Sequence, residues 1–114
     1  CYDIRFPELF RALTDAGAEW LAVPAAFTAR TGVAHWEVLV RARAIEAQAA
    51  VVAAGQGGRH PGGRHTYGHS LVVDAWGSVR DRWERGPGLA VGPVDAAATA
   101  NVRRRLPALH HRRL

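Results

Sequence analysis

The run Cys1-Tyr2-Asp3-Ile4-Arg5-Phe6-Pro7-Glu8-Leu9 carries the only cysteine of this 114-residue chain. A solitary cysteine often packs as a small buried hydrophobe. One placed directly before a turn and a proline-started helix is instead presented to a pocket, where its chemistry is nucleophilic attack on an electrophilic carbon. A free thiol, with a pKa near ~8.5, is mostly protonated at neutral pH, so it needs a base and a positive neighbour. The α-amine of Cys1 is one alternative base, as in processed N-terminal nucleophiles. Two other groups could also do chemistry. His60, His65 and His69 have suggestive metal spacing, but Pro61, Gly62, Gly63 and Gly68 interrupt any helix that would align them. Loop polarity and tyrosine–histidine hydrogen bonds explain them more simply. Arg103, Arg104, Arg105, Arg112 and Arg113, with His110 and His111, form a basic end suited to nucleic acid or an acidic partner. No aromatic platform is interleaved there, and arginine at a helix C-terminus is favourable through the dipole alone.

These groups sit on a chain of ordinary globular composition, 48% hydrophobic, with a formal charge of +5. The 15 basic residues are all arginine. The longest apolar runs, residues 49–54 and 21–27, fall short of the ~20 residues a spanning helix needs, and no signal peptide is visible, so no membrane role is expected. A single cysteine makes no internal disulfide, which favours a reducing compartment and a cytoplasmic location. The chain contains no Met, so its natural start is expected to lie upstream.

The elements that must position the thiol read as one α/β unit. Pro7 and Glu8 start a helix with Phe6, Phe10 and Leu13 at helical spacing, and Gly17 stops it. Residues 19–24 form a short strand, and residues 25–34 read as a loop. A second helix is expected over residues 35–48, with Val38, Ala42, Ile45 and Ala49 as its apolar stripe and Glu37–Arg41 as an i,i+4 pair. Arg43 and Glu46 fall on one helical face and should pair. Residues 50–55 read as a buried strand, and residues 57–67 as a glycine-rich basic loop. Residues 70–74, 79–83 and 89–94 read as strands, the first two joined by a turn at Ala75-Trp76-Gly77. Asp95 should cap a last helix that Pro107 ends. The core spans about residues 1–94, followed by the C-terminal helix and basic tail, 95–114.

Several blocks together resemble the nitrilase-type carbon-nitrogen hydrolases. They are Cys1 to Glu8, Pro24-Ala25-Ala26-Phe27, His35-Trp36-Glu37-Val38-Leu39, Arg41 to Glu46, Tyr67-Gly68-His69-Ser70 and Asp74-Ala75-Trp76-Gly77, in the family's order. Gly86-Pro87-Gly88 and the arginine-rich end are similar to the deaminated glutathione amidase branch. Glu46-Ala47 and Gln56-Gly57-Gly58 depart from that branch's usual Glu-Asn and Gln-Cys-Gly.

The resemblance implies a partial α-β-β-α sandwich, the C-terminal portion of one carbon-nitrogen hydrolase domain. It implies hydrolysis of a small carboxylate-bearing amide such as deaminated glutathione, releasing ammonia through a cysteine thioester, with no metal or organic cofactor. Cys1 would be the nucleophile and the backbone N–H of Tyr2 an oxyanion donor. Arg5, Phe27 and Thr31 would line the substrate pocket, with Arg5 gripping a carboxylate. The family's glutamate base and lysine precede the cysteine, so this stretch alone is expected to be inactive. The family also forms homodimers through helices. The competing class is a non-catalytic basic binding module, whose first sign would be salt-sensitive association with nucleic acid.

Overall fold

In the computed structural model, which describes residues 1–113, a 3-10 turn over Tyr2–Arg5 leads into helix α1, Pro7–Asp15. Pro7 fills the first turn, where its missing N–H costs nothing, and Glu8 sits beside the positive end of the dipole. Ile4 and Phe10 turn inward. Gly17, at φ +99°, closes the helix: its N–H bonds the Thr14 carbonyl and the N–H of Ala18 bonds that of Leu13, a Schellman cap as the glycine predicts.

Strand β1, Trp20–Ala22, leads through a loop to helix α2, Ala29–Ala47. The helix starts six residues before the expected His35, so part of the predicted loop is helical. Threonine and glycine disguise its first turns. Gly32 is there because the Tyr67 ring occupies the space a Cβ would fill, so packing overrides propensity. The inward face is Gly32, Trp36, Val40, Arg43, Ala44 and Ala47, while the predicted stripe residues Val38 and Ile45 are exposed. A charged residue, Arg43, occupies an inward position, which misaligned the apolar reading. The expected Glu37–Arg41 pair is also replaced. Glu37 accepts from Arg82 at 2.6 Å, and Arg41 donates to the Gly77 carbonyl at 2.9 Å.

Four strands form the main sheet in the order β1-β2-β5-β6, with β2 Ala50–Ala53, β5 Ser70–Val73 and β6 Val79–Trp83. β1 and β2 run parallel with α2 as their crossover, and the other pairs are antiparallel. Leu21, Val51 and Val73 lie in register across three strands and are all buried in the core with Ile4, Phe10, Trp36 and Val40. Trp20 and Ala22, which point the other way, are exposed. One α layer on one sheet, with the sheet's second face partly open, is half of the expected sandwich.

Two expectations need correction. Residues 57–67 are a hairpin, β3 Gly57–Arg59 with β4 His65–Tyr67, whose glycines concealed its strands. Residues 89–94 form no strand. Gly92 and Pro93 deprive this stretch of side chain and donor, and it crosses the sheet as a strap with Gly92 over Val72. Its anchor is the Val91 N–H on the Asp81 carboxylate at 2.6 Å.

Helix α3, Ala96–Arg105, is capped by Asp95, whose Oδ1 accepts from the N–H groups of Ala97 and Ala98. Arg103 is drawn into the fold, donating to the carbonyls of Ala18, Ala47 and Gln48. Arg112 grips Asp15 with two bonds of 2.7 and 2.8 Å. No helix among the described residues is long and apolar enough to cross a membrane.

Candidate active site

The parallel ladder of β1 and β2 continues past the strands through Val23, Ala25 and Gly55, and Cys1 lies where it ends. The carboxyl ends of parallel strands are where α/β sheets open crevices. The Sγ of Cys1 accepts the backbone N–H of Ala26 at 2.9 Å, which fixes its rotamer and faces any negative charge on sulfur with a dipole. An open cavity of about 430 Å³ adjoins it, walled by Pro24, Ala25, Ala26, Ala54, Gly55, Gln56 and Ser70. Ser70 holds this wall by accepting the Gly55 N–H at 3.0 Å. Gly55 has no room for a side chain, because the Gly68 carbonyl fills the space.

Tyr2 is the first residue of the 3-10 turn, so its N–H has no acceptor within that turn. Its side chain is exposed. Arg5 lies with its guanidinium 5.0 Å over the Phe27 ring and donates to His35 Nδ1 at 3.3 Å. No carboxylate among the described residues pairs with it. Phe27 is buried and stacks obliquely on Trp36, so it is a platform for Arg5 rather than an open wall. Thr31, which bonds the Thr28 carbonyl, stands one turn before His35 on the same face of α2. Arg5, Phe27 and His35 thus form one contact group, in which Phe27 follows Ala26 in sequence, whereas none of Arg5, Phe27 and Thr31 lines the cavity at Cys1.

Two positioning residues escaped the sequence reading. Arg43, read there only as half of an ion pair, does pair with Glu46 at 2.8 Å, but its Nε also donates to the Ile4 carbonyl at 2.8 Å. Its guanidinium lies 5.5 Å over Phe10. It therefore ties the thiol-bearing turn and α1 to α2. Trp36, fully buried, donates from Nε1 to the His69 carbonyl at 2.7 Å and fixes the stretch before Ser70. His69 itself donates to the Tyr67 carbonyl and stacks on its ring at 3.7 Å, while His60 pairs with Thr66. No cluster able to hold a metal is found among the described residues.

Residues 1–104 match the family model described as carbon-nitrogen hydrolase. The chain is 58% identical over 113 residues to the deaminated glutathione amidase of Homo sapiens, covering 99% of this chain and 35% of that protein. It superposes on the crystal structure of the C. elegans NitFhit protein with a TM-score of 0.95 at 47% identity, covering 99% of this chain and 27% of that one. It also matches the amidase of Nesterenkonia sp. AN1, with a TM-score of 0.73 at 32% identity, covering 98% and 42% of the two chains. That structure shows covalent addition of the acetamide moiety of fluoroacetamide at the active-site cysteine. The chain spans about a third of the human relative's length.

Proposed function

The chain belongs to the carbon-nitrogen hydrolase family of the nitrilase superfamily, and from that premise we propose that it is the nucleophile-bearing part of an amidase, with Cys1 as the attacking group. The observation that carries this reading is the Cys1 sulfur, held by the Ala26 N–H at the rim of an open cavity. The thiolate attacks the carboxamide carbon, and the Tyr2 N–H receives the developing oxyanion. Collapse breaks the carbon–nitrogen bond. The nitrogen leaves with a proton as an amine, ammonia for a primary carboxamide, and water then hydrolyses the thioester.

Arg5 binds a carboxylate on the acyl portion, backed by Phe27 and flanked by Thr31. Deaminated glutathione, the substrate in the human relative's name, belongs to the same class of small carboxylate-bearing amide. This chain contains no lysine, so the lysine of the resembled catalytic set has to come from polypeptide outside it, and the segment alone is inactive. Exposed Leu9 and Leu13 on α1 and Val33 and Val38 on α2 support homodimer formation.

The test is amine release by the full-length protein carrying this segment. Cys1→Ala should lower the rate by about 10³- to 10⁶-fold. Undiminished turnover in that variant would sink the mechanism.

A further inference from the structure

Past β1 the ladder continues, with the backbone groups of successive residues turned to alternate sides. The Ala25 N–H donates to the Ala54 carbonyl, the Ala25 carbonyl accepts from the Gln56 N–H, and the Phe27 carbonyl accepts from the Tyr67 N–H. Ala26, between them, serves other partners. Its N–H donates to Cys1 Sγ at 2.9 Å, and its carbonyl accepts from Arg64 Nη2 at 3.1 Å. The N–H and C=O of one ladder residue project to the same side, so the sulfur and the guanidinium occupy adjoining places that a further strand would take.

Arg64 stands at the tip of the β3–β4 hairpin. Its carbonyl accepts the His60 N–H at 2.8 Å, one pair beyond Arg59–His65. A change of length within residues 61–63 leaves that pair in place. His60 Nε2 lies 2.6 Å from Thr66 Oγ1 and steadies the same hairpin. Arg64 is exposed, and no carboxylate among the described residues pairs with it. Ordering a long exposed side chain on one carbonyl adds little to stability, because the lost rotamer entropy offsets the bond. The consequence of the bond lies with the residue it holds, whose N–H meets the sulfur.

We propose that Arg64 is a positioning residue for the nucleophile: it fixes Ala26 so that the N–H stays aimed at Sγ, and it sets a permanent positive charge on the thiolate's side of that residue. The inference deepens the amidase reading and rests on Cys1 being its attacking group. A thiolate is favoured by a nearby cation, and Arg64 supplies one from this segment itself.

The test uses the full-length protein and reads the sulfur apart from the reaction. Alkylation of Cys1 by iodoacetamide is followed on its own peptide by mass spectrometry, and amine release is followed with a small carboxylate-bearing primary carboxamide. Arg64→Ala should slow both alkylation and kcat about tenfold, with KM changed less than about twofold and Tm nearly unmoved. Arg64→Lys, which keeps the charge and a donor, should recover part of both rates, and Arg64→Gln, which keeps a donor alone, should recover less. Unchanged alkylation in Arg64→Ala overturns the inference, as does a loss confined to KM, which would make Arg64 a substrate-binding group. A large fall in Tm that Arg64→Lys does not relieve also overturns it, since Arg64 would then be holding the hairpin. A wild type that is alkylated at Cys1 but turns over no amide overturns the amidase reading instead.

Discussion

Removing the Arg43 side chain leaves the Ile4 carbonyl without its donor and strips the Phe10 ring of a neighbour, both in a buried setting. Arg43→Ala should therefore cost about 2–3 kcal/mol, read as a lower denaturant midpoint. The same change in the full-length protein should lower kcat, because the turn that carries Cys1 loses its tether. Arg43→Lys should rescue little, since one ammonium cannot serve a carbonyl, a carboxylate and an aromatic face together. The Arg43–Glu46 pair was legible at i,i+3. The bond to Ile4 was not, because it joins residues 39 apart and leaves no local period. Cys1 was legible through its neighbours in sequence, whereas its contact with Ala26 exists only once β1 brings that loop back.

Gly32, which hid the start of α2, and Gly57, at the head of the β3–β4 hairpin, are also positions of close approach, to Tyr67 and Gly68, whereas Gly58, Gly62 and Gly63 face open space. Gly55→Ala should destabilise the protein by about 3 kcal/mol or more, seen as a lower Tm, because the added methyl meets the Gly68 backbone carbonyl rather than a side chain able to move. The strap of residues 89–94 carries a different signature. The Asp81 carboxyl is held below its ordinary value of 3.8, first by the Val91 N–H and then by that of Arg82, against some desolvation. A depressed folded value means that the tether is at full strength above about pH 4, the unfolded value, and fades as pH falls through the folded one. After correction for intrinsic exchange, amide protection at Val91 should drop across that acidic range. Asp81→Asn should leave Val91 less protected at neutral pH and abolish the step. The strap looked like a strand because its apolar residues are spaced like one, but Gly92 and Pro93 remove what a ladder requires.

Across the molecule, the arginine-rich end was legible as charge but not in direction. Arg103 and Arg112 point back into the fold, whereas Arg104 bonds Asn101 on its own helix and Arg105 is exposed. Arg103→Ala should cost about 2 kcal/mol, and Arg105→Ala less than about 0.5 kcal/mol, by paired denaturant titrations. Equal effects would return the whole cluster to the surface role its composition suggested. The half-sandwich was legible in outline from the order of helices and strands, and only the register Leu21–Val51–Val73 shows which face is closed. The three carbonyls on Arg103 come from the stretch after α1, the last residue of α2 and the residue that follows it. Segments that share one guanidinium cannot drift apart in length. A one-residue insertion or deletion after Gly17, or between Ala47 and Ala50, would pull a carbonyl out of reach, so natural length variation in relatives should collect instead at the hairpin tip, residues 60–64.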